Sequence, residues 1–209
     1  QEPGAFERDY FTFDPSLDHG YEAWWNVPSL PKFNYRSTGL RESLISGEDS
    51  VVRHWLRPPY DMDGWRIDVA NMSGRQGELD VTHEVARLTR IAMMKENPNT
   101  LLIAEHVHDA SVDLVNGAWH GTMNYAGFLR PVWSWLNDGV FEGNFMGLPM
   151  GIPRFNEAQF VATVREFMGH MSWEATRGSW NLLGSHDTPR VRTVVGSAQA
   201  QRAAAALLM

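Results

Sequence analysis

Short apolar runs alternate along the chain with segments in which apolar residues recur at helical spacing. Four of these runs predict strands: GWRIDVA at 64–70, TLLIAEH at 100–106, SWNLLGSHD at 179–187 and, more weakly, GTMNY at 121–125. Helical patterns predict helices over 37–57, 78–96, 127–137, 157–169 and 198–209. Strands that alternate with helices indicate an α/β fold with parallel strands.

Two segments lack both periodicities and are predicted to be loops. Residues 1–36 are aromatic and interrupted by proline, and residues 139–156 contain four glycines and two prolines. The remaining residues supply four strand–helix units. A closed (β/α)8 TIM barrel needs eight such units and about 250 residues, so the chain supplies about half of one. We therefore predict an irregular segment over 1–36 and a partial (β/α) barrel over 37–209, and we expect the chain to be part of a longer protein.

Composition excludes several classes of function. The chain is 43% hydrophobic and 21% charged, and its net charge of −7 without a basic run argues against a nucleic-acid partner. The absence of cysteine excludes disulfides, thiolate metal sites and a cysteine nucleophile. No run approaches the roughly 18–20 apolar residues that span a bilayer, so no membrane partner is expected. The first residues do not resemble a signal peptide. The compartment is left undetermined, with a cytoplasmic location slightly favoured.

Three of the predicted strands end in a carboxylate. Asp68 closes GWRID, Glu105 closes LLIAE and Asp187 closes NLLGSHD. Parallel strands bring their carboxyl ends to one edge of a sheet, where barrel enzymes place their active sites. A single acid at such a position could be a helix cap, but three in the same register predict a shared site.

Two of these acids are sufficient for glycoside hydrolysis. One serves as general acid and the other as nucleophile or base, and retaining enzymes hold them about 5–5.5 Å apart. Arg66 lies two residues before Asp68 on the same face of the predicted strand, and a cation there favours the charged form of the carboxylate, as a nucleophile requires.

The motifs DGWRIDVAN (63–71), LLIAEHVHD (101–109) and LLGSHDTPR (182–190) resemble three signature regions of the α-amylase family of glycoside hydrolases. VPSLPKFN (27–34) resembles a further motif of the neopullulanase, cyclomaltodextrinase and maltogenic amylase branch. The resemblance spans residues 27–190 in the family's order. It implies a TIM-barrel catalytic domain, with residues 1–36 belonging to the domain inserted in that barrel.

The resemblance also implies roles for individual residues. Asp68 would be the nucleophile of a covalent glycosyl-enzyme, Glu105 the general acid and then the base, and Asp187 the stabiliser of the distorted transition-state sugar. The substrate-binding residues would be Arg66, which orients the nucleophile, together with His186, Asn71 and His108. The implied substrate is an α-1,4-glucan oligosaccharide, a maltodextrin or cyclomaltodextrin, with cleavage of α-1,6 bonds or glycosyl transfer as further activities.

Two departures from the family pattern affect these expectations. The first signature region, whose asparagine often ligates calcium, is absent, so calcium binding by the full-length parent remains possible but is not predicted. A homodimer of that parent is likewise left open. Val107 stands where the branch has a tryptophan, which leaves acceptor specificity undetermined. His106, His108 and Asp109 could suggest a metal site, because alternate strand residues share a face. No further ligand stands at a recognisable spacing, so no metal site is predicted.

Alternatives to this interpretation remain open. The chain could be a catalytically inactive carbohydrate-binding fragment or scaffold, although retention of all three acids weighs against that. It could also be a glucosyltransferase or sugar isomerase of the same family. Trp24 and Trp25 fit a sugar-binding platform and core packing equally well.

Overall fold

The computed structural model describes residues 4–115, 117–145 and 148–209. The chain forms two compact units. Unit 1 comprises Gln1–Leu102 and Asn116–Trp119, and unit 2 comprises Ile103–Val115 and His120–Met209. Three residues at the start of the predicted segment 1–36, and residues 146 and 147 of the predicted loop 139–156, lie outside the described residues.

The described part of the segment 1–36 contains no α-helix or regular strand, as predicted. It has two 3-10 turns, Phe6–Tyr10 and Trp24–Asn26. Isolated antiparallel bridges fold it back on itself, joining Phe11 to Phe33, Phe13 to Tyr21 and Ala23 to Pro31.

The prediction of one helix over 37–57 is wrong. Helix α1 (Thr38–Arg41) continues into a π-helical turn, Glu42–Ser46, and a separate helix α2 begins only at Val51 and ends at His54. The first helical segment ends at Gly47, whose backbone is extended (φ −61°, ψ 158°). This residue lies so close to Glu42 that a Cβ would be 2.6 Å from the Glu42 carbonyl oxygen, so the position requires glycine. The intervening Gly-Glu-Asp-Ser sequence has the residues that favour turns over helix.

Strand β1 (Gly64–Ile67) is shorter than the predicted 64–70, because Val69 adopts a left-handed conformation with φ 41° and ψ 50°. Asp68 therefore lies just after the strand. At the other end, Gly64 lies against the backbone of Leu101, whose carbonyl oxygen would be only 2.0 Å from an added Cβ. Only glycine allows this approach of β1 to the start of β4 (Leu101–His106).

The predicted helix 78–96 begins later than expected. Residues 75–80 form a short antiparallel hairpin of β2 (Arg75–Gln76) and β3 (Leu79–Asp80), and helix α3 spans Thr82–Glu96. The Asp80 carboxylate accepts a hydrogen bond from the Thr82 backbone at 3.0 Å, which favours a helix start at Thr82. Within unit 1, α3 packs against the π-helical turn and α2.

In unit 2, β4 pairs in parallel with β5 (Gly121–Asn124), which confirms the predicted strands 100–106 and 121–125 within a residue. The strand order is β1, β4, β5, and the described strands do not form a closed barrel. A short helix α4 (Ser111–Leu114), which the sequence did not predict, follows β4.

The remaining predicted helices are confirmed. The predicted helix 127–137 is a π-helical turn, Tyr125–Leu129, followed by α5 (Arg130–Leu136). Helix α6 (Glu157–Gly169) begins at a capping box in which Asn156 and Gln159 bond each other's backbone N–H. Helix α9 (Ala198–Leu208) matches the predicted helix 198–209.

Three further features of unit 2 were not predicted. The described part of loop 139–156 contains a small antiparallel hairpin, β6 (Asn144–Phe145) and β7 (Leu148–Gly151). The other two features are the helices α7 (Trp173–Gly178) and α8 (Val191–Val195).

The predicted strand 179–187 is wrong beyond its first residues. Trp180 alone forms a parallel bridge, to Met123 of β5. The ladder stops there because β5 ends at Asn124 and the chain turns into the π-helical turn. The core of unit 2 lies under this segment and contains Tyr125, Leu129, Trp133 and Val194.

Within the described residues, no helix combines the length and apolar character that crossing a membrane requires.

Candidate active site

The first candidate catalytic pair lies in unit 1, where β1 ends. The Arg66 guanidinium donates through Nη1 to Asp68 Oδ1, as the shared face of an extended strand predicts. The two side chains differ in exposure, at 23% for Arg66 and 73% for Asp68, so a mostly buried cation holds a carboxylate that solvent or substrate can reach. The next residue, Val69, is β-branched and left-handed, a conformation that costs about 1–3 kcal/mol and is concentrated at functional sites.

Asp68 and Arg66 line a cavity of about 600 Å³ within unit 1. Its walls include residues 29–33, so most of the LPKFN motif lies around the same cavity as the predicted nucleophile. The other lining residues are Trp24, Tyr35, residues 65–69 and residues 72–74. The cavity therefore joins two sequence motifs that are separated in the chain by residues 35–62.

The motif is anchored to the β2–β3 hairpin. Gln76 Nε2 donates to the Phe33 carbonyl at 3.0 Å, and Thr12 Oγ1 donates to Gln76 Oε1 at 2.7 Å. Lys32 Nζ donates to the Arg75 carbonyl. Burial lowers the pKa of Lys32, the Glu22 charge opposes this and the Arg75 charge adds to it.

The two adjacent tryptophans stack on each other at the cavity rim. Their rings are 4.6 Å apart and 7° from parallel. Trp24 lines the cavity, whereas Trp25 is 78% exposed, which is incompatible with core packing of Trp25. An exposed aromatic face at a cavity rim suits a sugar ring.

Asn71, a predicted substrate-binding residue, lies in the 3-10 turn Ala70–Met72, three residues after Asp68, and is half-buried.

In unit 2, Glu105 occupies the penultimate position of β4 and is 8% exposed. It is paired in register with Met123 of β5, and Met123 bridges in parallel to Trp180. Glu105 and the chain leading to Asp187 therefore approach the carboxyl edge of the sheet in the same direction. Asn124 and Asn181 continue this arrangement through a side-chain hydrogen bond of 2.9 Å.

Asp187 lies in a tight turn that two buried aromatic side chains hold. Tyr125 donates its hydroxyl proton to Ser185 Oγ at 2.8 Å, and the same oxygen accepts from the Asp187 backbone at 3.1 Å. Trp133 Nε1 donates to the Leu183 carbonyl at 3.1 Å. The side chain of Asp187 is 52% exposed and lies 3.3 Å from His186 Nε2. The core of unit 2 thus fixes the backbone, while the side chains of Asp187, predicted to be catalytic, and His186, predicted to bind substrate, are exposed.

The residues after Glu105 form two polar clusters. Asp109 accepts from the Ser111 backbone at 2.9 Å and contacts His170 Nδ1 at 2.8 Å. Burial alone would raise the pKa of Asp109, but these hydrogen bonds outweigh it and lower that pKa.

The second cluster contains His108, which the sequence predicted to bind substrate. Its ring lies 5.2 Å from that of His106, and His106 Nε2 lies 2.8 Å from Asp113 Oδ2. His108 is exposed, but its neighbours remove part of its hydration, and this partial desolvation lowers its pKa. The charge of His106 adds to this decrease in pKa, and the charge of Asp113 opposes it. His108 therefore favours its neutral form.

The structure brings together Arg66, Asp68 and the LPKFN motif in unit 1, and it places Glu105, His186 and Asp187 at one end of unit 2. Convergence of Asp68 with Glu105 and Asp187 stays a prediction. Three residues that support or adjoin the site were not predicted from the sequence: Tyr125, Trp133 and Asp113. Tyr125 was predicted to end the strand 121–125 and Trp133 to lie in the helix 127–137, and neither pattern indicates which loop these side chains would hold.

Comparison with known proteins identifies the family. The model of the family described as "Alpha amylase, catalytic domain" matches residues 4–209. The chain is 31% identical over 199 residues to amylopullulanase of Thermoanaerobacter thermohydrosulfuricus, covering 90% of this chain and 12% of that protein. It is 30% identical over 175 residues to neopullulanase 2 of Thermoactinomyces vulgaris, covering 84% of this chain and 25% of that protein.

Solved structures share the fold. Ttha1563 of Thermus thermophilus aligns with a TM-score of 0.81 at 28% identity, over 98% of this chain and 42% of that one. The debranching enzyme of Nostoc punctiforme aligns with a TM-score of 0.80 at 24% identity, over 99% of this chain and 42% of that one. The chain thus spans less than half the length of these proteins and a smaller share of the curated relatives. Because the family model matches nearly its whole length, the chain belongs to the α-amylase catalytic-domain family.

Proposed function

We propose that this chain supplies catalytic residues to a retaining α-glycosidase that cleaves α-1,4-linked glucans, maltodextrins or cyclomaltodextrins, and that it forms about half of a (β/α)8 barrel. Membership of the α-amylase catalytic-domain family supports the reaction class. Relatives named amylopullulanase, cyclomaltodextrinase and neopullulanase support an α-glucan substrate, with α-1,6 cleavage or glycosyl transfer as further activities.

The observation on which the proposal depends most is the Arg66–Asp68 ion pair beside the 600 Å³ cavity. A nucleophile must be charged, accessible and held in one direction. Asp68 is exposed to the cavity and receives an N–H from Arg66, whose own side chain is packed in place. An aspartate that served only to cap a helix would not need a buried cation on one side and an open cavity on the other.

The proposed reaction has two steps. In the first, the Asp68 carboxylate attacks the anomeric carbon while Glu105 gives its proton to the departing glycosidic oxygen. In the second, the ionised Glu105 takes a proton from water, and the water oxygen displaces Asp68 from the anomeric carbon with retention of configuration. Asp187 would bind hydroxyls of the distorted sugar, with His186 beside it and Asn71 and His108 as further substrate contacts.

Trapping of the covalent intermediate tests the nucleophile. In Glu105→Gln, an α-maltotriosyl fluoride can still glycosylate Asp68, because fluoride leaves without protonation, whereas hydrolysis of the intermediate lacks its base. We expect the intact mass to increase by one maltotriosyl group and peptide mapping to place that group on Asp68. The control is the double variant with Asp68→Asn, in which the adduct should be absent. An adduct on another residue, or no adduct in Glu105→Gln, overturns the assignment.

Turnover of maltotriose tests the acid and the reaction type. Glu105→Gln should lower kcat on this substrate by about 10²–10⁴-fold, because its leaving group needs a proton. Glucose and maltose as products indicate hydrolysis, and longer sugars indicate transfer. Initial formation of the α-anomer, followed by NMR, is expected for a retaining enzyme, and initial β-anomer would contradict the double displacement.

A further inference from the structure

The loop after β4 brings two histidines and an aspartate into one cluster. His106 and Asp113 have no part in the proposed reaction, and His108, a proposed substrate contact, lies beside them. One potential donor atom from each of His106, His108 and Asp113 lies within 4.8 Å of the other two. All three residues belong to unit 2, and they come from the end of β4, the following loop and α4. From the side chains in this cluster we propose that it is a binding site for a divalent transition-metal ion, best fitted by Zn²⁺.

The sequence did not predict that Asp113 would join the two histidines. Among the polar residues after Glu105, Asp109 is the carboxylate nearest to the histidines in the chain, but its oxygens are engaged by Ser111 and His170. Asp113 becomes the third donor only because the chain brings α4 back to the end of β4. Its Oδ2 then lies 2.8 Å from His106 Nε2, and both side chains are almost wholly buried.

A satisfied core histidine does not account for the cluster. Within the described residues, His106 Nδ1 is buried and has no hydrogen-bond partner. An imidazole carries a donor or an acceptor at each nitrogen, so whichever tautomer is present leaves one buried nitrogen unsatisfied by the protein. A buried imidazole with a free nitrogen, beside a carboxylate and a second imidazole, offers the donor types that transition-metal ions bind.

The types of donor atom in the cluster also indicate which metal ion is favoured. Two imidazoles and one carboxylate suit Zn²⁺ and similar first-row ions, whereas Ca²⁺ and Mg²⁺ prefer oxygen donors. Tetrahedral Zn²⁺ holds its donor atoms about 3.4 Å apart, from bond lengths of about 2.0–2.2 Å. His106 and Asp113 need only separate slightly to reach that spacing. His108 is exposed, so its side chain is free of the packing that would prevent it from moving inward, and water can complete the coordination.

A bound ion would join the end of β4 to the loop and to α4. It would therefore restrain the residues directly after Glu105. The proposal does not depend on glycosidase activity, and it is tested by binding alone.

Zn²⁺ titration of the tag-free, EDTA-treated 209-residue chain by calorimetry tests the site. We expect one ion per chain, and a Tm that increases with the logarithm of Zn²⁺ concentration. Asp113→Asn keeps a hydrogen-bonding partner for His106 but removes the carboxylate, and His108→Gln removes an exposed ligand. Each should weaken Zn²⁺ binding by about 100-fold or more. Circular dichroism of both variants before titration establishes that they are folded.

The matched control is His54→Gln, which removes an exposed histidine of unit 1 and should leave Zn²⁺ binding unchanged. Replacement by Co²⁺ should give the intense visible absorption of a tetrahedral site in the wild type and not in Asp113→Asn. Failure of the wild type to bind Zn²⁺, wild-type affinity in both cluster variants, or preferential binding of Ca²⁺ would overturn the proposal.

Discussion

Glu96 joins helix α3 to the α2 region through two arginines, and its removal should destabilise the protein in a pH-dependent way. Its carboxylate accepts from Arg53 Nε on one oxygen, and Arg57 donates to both oxygens at 2.8 and 2.9 Å. Glu96 is only 12% exposed. The hydrogen bonds from Arg57 lower its pKa from 4.5 to about 2, burial opposes this, and Arg53 adds to the decrease.

The size of the effect follows from that pKa. A change from 4.5 to about 2 corresponds to about 3 kcal/mol in favour of the charged carboxylate. Arg57 is 30% exposed, so solvent screens part of the interaction and we expect about 2 kcal/mol. Because the folded-state pKa lies below the unfolded-state value, this stabilisation is complete above about pH 4.5 and is lost as the pH falls towards 2.

Urea unfolding of Glu96→Gln against the wild type measures this contribution. At pH 7 the variant should lose about 2 kcal/mol of unfolding free energy, and the difference should fall to less than half by about pH 3. The control is Glu84→Gln, whose partner Arg41 lies in the same unit but whose own side chain is 56% exposed, and which should change stability by less than about 1 kcal/mol. An equal loss in both variants, or a loss in Glu96→Gln that persists unchanged to pH 3, would refute the reasoning.

Two further substitutions test, respectively, the support of the Asp187 turn and the close approach of β5 to Gly178. Tyr125→Phe removes the hydroxyl that holds Ser185 and should cost about 1 kcal/mol of stability and lower kcat on maltotriose several-fold; an unchanged kcat would show that the bond does not position Asp187. Gly121→Ala would place a Cβ 2.3 Å from the Gly178 carbonyl carbon and should cost about 2–3 kcal/mol in urea unfolding, whereas Gly169→Ala meets nothing within 4 Å and should be nearly neutral.

Much of the local structure was predictable because it depends on local patterns. Asn156 with Gln159 three residues later is a capping box, and helix α6 begins there as expected. The apolar runs of β4 and β5 have the length and composition of buried strands, and both form. The errors occurred where short-range geometry overrode periodicity: Gly47 interrupted a helical pattern, and Val69 ended β1 before the predicted end.

The strand predicted over 179–187 shows a different limit. Its residues have strand propensity, but a strand needs a neighbour with which to pair, and β5 ends at Asn124. What holds the segment instead is Trp133 and Tyr125, at distances of 50 and 60 residues along the chain. No local pattern specifies such contacts.

The sequence by itself determined the residues with candidate chemistry and their order: Arg66 and Asp68 on one face, Glu105 near the end of β4, and Asp187 in a later motif. It could do so because side-chain alternation along a strand and the motif residues are properties of neighbouring positions. Only the tertiary structure decided which residues surround them. The LPKFN motif reaches the cavity beside Asp68, and Asp113 reaches His106, because loops and helices fold back over the strand ends, and the packing of distant apolar side chains sets where they come to lie.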